Sequence, residues 1–148
     1  MITRASLVLF LFCSTVAAQR QTFYIPQFAA GGDQSLKITT RVTLINIGTG
    51  VLNPARAQIE TFDSDGNPVA LLKRTTLSEV EATPAVEREI QGRGTSLAES
   101  YSASGAQSLG WARITSEDKI AVEVIFSIYD GAGRLLTTTS ILPRSPAT

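Results

Sequence analysis

The first side chains that could take part in catalysis are two glutamates, Glu87 and Glu89, which lie two positions apart. On a β-strand both would point to the same face. Their separation would then fall in the range of roughly 5 to 10 Å that the paired carboxylates of glycoside hydrolases use. They flank Arg88 in a segment with no sign of a cleft, so we interpret them as the solvated, charged face of a strand.

A second candidate site is the segment FDSDGNP, which offers oxygen ligands at alternate positions: Asp63, Asp65 and Asn67. Calcium prefers such ligands, but in a helix-loop-helix calcium site the glycine follows three ligand positions and a glutamate closes the loop. Here Gly66 follows only two ligand positions, and no glutamate lies at the required distance. Because Asp-Gly tolerates positive φ and closes tight turns, we predict a hairpin, with weak calcium binding as the alternative.

The third candidate is the only tryptophan, Trp111, with an arginine two positions later. Strand alternation places Ala112 and Ile114 on one face and Leu109, Trp111 and Arg113 on the other. If the first face covers the core, Trp111 and Arg113 lie side by side on the outer surface and could bind a partner. If the register is reversed, Trp111 anchors the core. A lone tryptophan in a small sandwich is more often buried, so we favour the second register.

Three further aromatic side chains, Tyr24, Tyr101 and Tyr129, could join Trp111 in a stacking platform for a glycan or another small ligand. Three of the four in line on one exposed face would favour glycan binding. Their burial would favour a structural role.

Several classes of chemistry are excluded by what the sequence lacks. It contains no histidine, which excludes a Ser-His-Asp triad and imidazole zinc sites. The one cysteine, Cys13, directly follows the N-terminal apolar run of residues 7–12, so a chain cleaved after Ala18 has no thiol. The segment 92–94, Gly-Arg-Gly, lacks the rest of a phosphate-binding loop and is interpreted as a turn. We therefore predict that the protein is not an enzyme and uses no cofactor.

The N-terminal segment has the three parts of a secretory signal peptide. Arg4 supplies positive charge, residues 7–12 (LVLFLF) are wholly apolar, and small residues precede a cleavage site after Ala18. The apolar run is far shorter than the roughly 20 residues that span a bilayer. We predict a signal peptide at residues 1–18 and a secreted or periplasmic domain at residues 19–148, with no membrane insertion after cleavage.

Charge and length narrow the remaining possibilities. The chain has 13 Lys+Arg and 13 Asp+Glu, and loss of Arg4 with the leader would leave 12 basic against 13 acidic residues. No block of like charge marks a nucleic-acid or membrane-binding surface. The roughly 130 residues that remain suit one domain that buries a core without metal or crosslinks.

Alternation with a period of two residues runs through most of this domain. The strongest strands are Leu36–Asn46 and Ile120–Tyr129, and five apolar residues of the second share one face, so we expect it to be central. Weaker strands are Phe23–Phe28, Ala57–Phe62, Val69–Lys73, Val86–Ile90, Leu97–Tyr101, Leu109–Ile114 and Leu135–Leu142. Leu77–Ala82 is treated as loop. Short strands between Gly-rich turns predict an antiparallel, immunoglobulin-like (Ig-like) β-sandwich of seven to nine strands.

Four motifs in a fixed order resemble a known group of proteins. FYIPQFAAGG, TRVTLINIGTG, ETFDSDGNPV and GWARITSEDKIAVEVIF are similar to the F-x-x-P-Q-x-x-x-G-G, T-L-x-N-x-G, F-x-D-x-D-G-x-P and G-W/Y-A-R-V-x-S motifs of a secreted β-sandwich module of soil bacteria. The similarity covers most of residues 22–126. The resemblance implies a fold and an exported location, and it implies no chemistry, because no activity is assigned to the group.

Together these observations predict an exported, non-catalytic β-sandwich module with a structural, adhesive or protein-interaction role at the cell exterior. The alternative is a glycan-binding or small-ligand-binding module that uses exposed aromatics. The expected partner is accordingly a protein or a cell-surface glycan.

Overall fold

The computed structural model describes residues 20–48, 50 and 53–146. The predicted signal peptide at residues 1–18, with Cys13, lies outside this range. In the described residues all helix and strand structure is β, in ten strands. They are β1 (Gln21–Gly32), β2 (Leu36–Asn46), β3 (Ala55–Phe62), β4 (Leu72–Thr75), β5 (Val80–Thr83), β6 (Ala85–Ile90), β7 (Thr95–Glu99), β8 (Ser108–Ser116), β9 (Ile120–Asp130) and β10 (Leu135–Ile141).

Eight of these strands form two antiparallel layers. The first sheet has the order β6-β3-β8-β1 and the second the order β7-β2-β9-β10. The end of β1 also pairs with β2, so hydrogen bonding continues from one sheet into the other. Strands β4 and β5 form a separate two-stranded hairpin. The prediction of an all-β, antiparallel, sandwich-like fold is therefore confirmed.

The switch of β1 between the sheets depends on two glycines. Gly31 has φ 85° and Gly32 has φ 154°, values that side-chain-bearing residues rarely adopt. A Cβ at Gly31 would collide with the carbonyl oxygen of Ala106, and one at Gly32 with that of Leu36. The Gly-Gly pair lets the strand turn from β8 toward β2 without steric conflict.

Residues from both sheets meet in one apolar core. In β2 the even positions from Ile38 to Leu44 point inward, as the alternation predicts. The core consists of Ile25, Phe28, Ala30, Val42, Leu44, Ala55, Ala57, Ile59, Leu71, Leu72, Val86, Ile90, Ala98, Ala112, Ile114, Ile120 and Val124. Since each fully buried aliphatic side chain contributes about 1.5 to 3 kcal/mol, this core can hold the two sheets together without a disulfide.

Two polar side chains inside the core are fully bonded. The Thr40 hydroxyl donates to the Ala29 carbonyl and accepts from its N–H, and so ties β2 to β1. The buried Asn46 amide donates to the carbonyls of Asn53 and Ile90. Because buried polar groups cost stability unless they are hydrogen-bonded, these bonds explain why both residues are tolerated there.

Strand β9 lies between β2 and β10, which agrees with the expectation that it is central. Ile120 and Val124 are buried, whereas Phe126 and Ile128 on the same face are only half-buried. All of β10 except Ile141 is exposed. Only Ile141 of β10 packs against the core, and the rest of this strand extends beyond the core as an edge strand.

The structure differs from the sequence prediction at Leu77–Ala82, where a loop was expected. Val80 and Glu81 begin β5, which pairs with β4 around a turn closed by bonds between Thr76 and Glu79. Of the four residues of β5, only Thr83 is buried. So exposed a strand has no buried face to impose alternation of apolar and polar residues. The sequence therefore gave no signal for β5.

Candidate functional site

Trp111 faces outward. Ala112 and Ile114 are fully buried against the core, whereas Trp111 and Arg113 lie on the opposite, outer face of β8. The favoured interpretation of Trp111 as a core anchor is therefore wrong. The physical reason is that strand alternation couples Trp111 to Arg113, so a buried indole would have carried a guanidinium into the core.

Trp111 belongs to a row of three aromatic side chains that crosses three strands of the first sheet. Phe62 on β3 lies directly opposite Trp111, with ring centroids 4.3 Å apart and an interplanar angle of 18°. Tyr24 on β1 lies on the other side, with centroids 6.1 Å apart and an angle of 46°. We call Tyr24, Trp111 and Phe62 the aromatic row. The Tyr24–Trp111 separation falls within the range typical of favourable aromatic pairs, and the stacked Phe62–Trp111 pair lies at its short end.

An ion pair adjoins the aromatic row. Arg113 is the cross-strand partner of Glu60, and its Nε and one terminal nitrogen lie 3.0 and 2.9 Å from the same carboxylate oxygen. The guanidinium carbon also lies 5.3 Å from the centroid of the Phe62 ring. These contacts hold the arginine in one place on the surface, where it can donate to a ligand or partner.

Sequence reasoning missed Phe62 and Glu60. Both lie on the outward side of β3, and their signal was present in the alternation of the segment Ala57–Phe62. That alternation shows that they share a face with each other. It does not show which strand lies beside them, and only the pairing of β3 with β8 brings them to Trp111 and Arg113.

The other two predicted platform residues lie elsewhere. Tyr129 is on β9 in the second sheet, where it pairs with Lys37 and Leu135. Tyr101 follows β7, and its N–H donates to the carbonyl of Leu71. Of the four aromatics proposed as a platform, only Tyr24 and Trp111 are neighbours.

The FDSDGNP segment forms a tight turn organised by one carboxylate. Asp63 accepts hydrogen bonds from the N–H groups of Asp65 and Asn67, at 2.9 and 2.8 Å, and from the Asn67 side-chain amide. The Asn67 side chain, followed by its N–H, holds the pKa of Asp63 below its ordinary value. Gly66 has φ 87°, as a residue closing such a turn requires. Of the three ligands proposed for calcium, the Asp63 carboxylate is therefore occupied by hydrogen bonds that hold the turn itself.

The paired glutamates lie on the exposed outer face of the edge strand β6. Glu89 accepts a hydrogen bond from the Gln91 amide at 3.0 Å and lies 3.7 Å from the Arg56 guanidinium. Glu87 borders a shallow concavity of about 300 Å³ that is also lined by Arg20 and Asp118. Charges of both signs line this hollow, so it presents no single-sign anion or cation site. No cluster of three or more His, Cys, Asp or Glu side chains suited to a metal occurs among the residues described.

No family model, curated protein or solved structure matches this chain. The resemblance to secreted modules of soil bacteria therefore stays a prediction. In the described part of the chain, no helix has the length and apolar character needed to cross a membrane.

Proposed function

We propose that this chain is an exported, non-catalytic β-sandwich module that binds a protein partner through the outer face of its first sheet. The observation that carries the proposal is the outward aromatic row, with Trp111 at its centre and Arg113 beside it. Tryptophan, tyrosine and arginine are the residues that contribute most to protein–protein binding when they are clustered. Glu60 adds a charge of opposite sign at the border of the patch.

The ring geometry favours a protein over a glycan. A sugar stacks on an uncovered, flat ring face, but Phe62 and Trp111 lie nearly parallel at 4.3 Å, so each covers one face of the other. The remaining ring edges and the indole N–H suit the side chains and carbonyl groups of a protein. Tyr24, with 37% of its surface exposed, is the ring most open to a sugar, which keeps glycan binding as the second candidate.

The surface is also preorganised. Beneath the aromatic row the same three strands bury Ile25, Ile59 and Ile114 completely. Backbone pairing joins β8 to β3 at Trp111 and joins β1 to β8 at Tyr24, and the register of β1 shifts opposite Trp111. A patch fixed on paired strands loses little conformational entropy on binding, which raises affinity for a given contact area.

Other features support the remaining parts of the proposal. The leader-like N-terminus supports export, and the absence of histidine supports a non-catalytic role. We also propose the finer fold class of an Ig-like sandwich, which is supported by two four-stranded antiparallel sheets around a shared core.

The test is affinity capture of proteins from the culture medium and envelope of a producing bacterium, followed by titration of the captured protein. We expect Trp111→Ala to weaken binding by at least about 2 kcal/mol, or roughly thirtyfold, because Trp111 is the centre of the patch. The matched control is Leu97→Ala, an exposed apolar side chain of the second sheet, which should bind like the unchanged protein.

Circular dichroism and thermal melting establish that both variants are folded. Undiminished binding by the Trp111→Ala variant would refute the proposed surface. Binding on a glycan array that depends on Tyr24, with no protein captured, would replace the proposal by the second candidate.

A further inference from the structure

The four edge strands of the two sheets are not equally protected. An exposed edge carries free N–H and C=O groups that can pair with another chain, and proteins block such edges with charges, prolines, bulges or short strands. The edges to compare are β6 and β1 in the first sheet and β7 and β10 in the second.

Three of the edges carry such protection. Strand β6 contains three consecutive charged residues, Glu87 to Glu89. Strand β1 contains Pro26 within a register shift, and Tyr24 exchanges two backbone hydrogen bonds with Arg144 on that edge. Strand β7 has only five residues and ends in a glutamate, Glu99.

Strand β10 has almost no such protection of its edge. Its sequence from Leu135 to Ile141, LLTTTSI, has no charge and no proline, and it is rich in residues of high β-propensity. One side pairs with β9, and no strand of the described residues lies on the other. Its register shift is confined to the start of the strand, between Leu135 and Thr137. All seven residues except Ile141 are exposed.

The order of residues in β10 indicates which partner fits. Under antiparallel pairing about a two-fold axis at Thr138, Thr137 meets Thr139 of the second copy and Leu135 meets its Ile141. Leu136 meets Ser140 of the second copy, the one pair of unlike polarity in this register. Otherwise Leu135 faces Ile141 and threonines face threonines, and no like charges meet, as a self-complementary interface requires.

We propose that β10 pairs antiparallel with β10 of a second copy of this chain, about a two-fold axis at Thr138. The second sheets of the two copies then join into one continuous sheet across the interface. The aromatic row lies on the first sheet, so this contact is separate from the proposed partner-binding face and does not depend on it.

The experiment uses the full chain produced in an exporting bacterial host, with sedimentation velocity at protein concentrations from about 1 µM to about 1 mM. We expect a monomer–dimer equilibrium within this range. Thr138→Lys and Thr138→Glu should each weaken it about tenfold, because each places two like charges opposite one another at the axis. An equimolar mixture of the two variants should dimerise again, because the charges are then opposite.

The matched control is Thr95→Lys, an exposed threonine on the edge strand β7 of the same sheet, which should dimerise like the unchanged chain. Circular dichroism verifies that each variant is folded. A chain that stays monomeric over the whole range, or a dimer that the Thr138 variants leave unchanged, overturns the proposal. A mixture of the two variants that stays monomeric overturns the proposed two-fold pairing.

Discussion

At the scale of single residues, three aspartates do similar work in three turns. Asp33, Asp63 and Asp130 each accept hydrogen bonds from N–H groups two to four positions later. In each case these and neighbouring side-chain hydrogen bonds lower the pKa of the carboxyl. Each carboxylate therefore replaces a bond that the turning backbone cannot make with itself.

The lowered pKa of Asp63 predicts how the stability of the fold depends on pH. A folded-state pKa below the unfolded value of about 3.9 means that the carboxylate contributes stability above that pH. The contribution is lost as the pH falls through the folded-state pKa. We expect the Asp63 side-chain carbon, followed by NMR, to titrate below the ordinary value.

The control is Asp63→Asn, which keeps an oxygen acceptor but cannot titrate. Urea unfolding of this variant should show a weaker loss of stability than the unchanged chain between roughly pH 5 and pH 2. Titration of Asp63 at or above the ordinary value would contradict the assignment of its hydrogen bonds.

At the scale of elements, the register of β9 determines which substitutions the chain tolerates. Val124 is buried in the core and Glu123, on the opposite face, is exposed. We expect Val124→Asp to lower the free energy of unfolding by about 4 kcal/mol or more, because it buries an unpaired carboxylate. Glu123→Lys should change it by less than about 0.5 kcal/mol. Urea denaturation of both variants measures the difference, and equal stabilities would mean that the register is misassigned.

The long strands could be predicted because alternation is strong where one face is buried. The bounds predicted for the second strand, Leu36–Asn46, agree with those in the structure. Alternation defines two faces of a strand but does not say which one is inside, and this ambiguity led to the wrong choice for Trp111. The aromatic row could not be predicted from alternation alone, because Phe62, Trp111 and Tyr24 come together only through the strand order β3-β8-β1.

At the scale of the whole molecule, stability rests on the shared apolar core and on paired backbone. Among the oxygen ligands proposed for calcium, the Asp63 carboxylate already accepts hydrogen bonds from the N–H groups of the turn and from the Asn67 side-chain amide. We expect the melting temperature to change by less than about 2 °C between excess chelator and excess calcium, since a bound ion would raise it by mass action. Differential scanning calorimetry measures this. A larger calcium-dependent rise, removed by Asp65→Ala, would revive the calcium interpretation.

The order of the strands also fixes a sequence of events in time. Of the ten strands, β1 and β2 leave the ribosome first. Strand β1 forms most of its residue pairs with β8, and β2 pairs along its whole length with β9. The Gln21 side chain also accepts a hydrogen bond from the N–H of Ile120, 99 residues later. Neither sheet can close while only the N-terminal half has been synthesised, and contacts so distant in sequence form slowly. We therefore expect the chain to reach its final fold only after β8 and β9 have been synthesised. Such a delay is compatible with the proposed export, because the chain would still be unfolded when translocation begins.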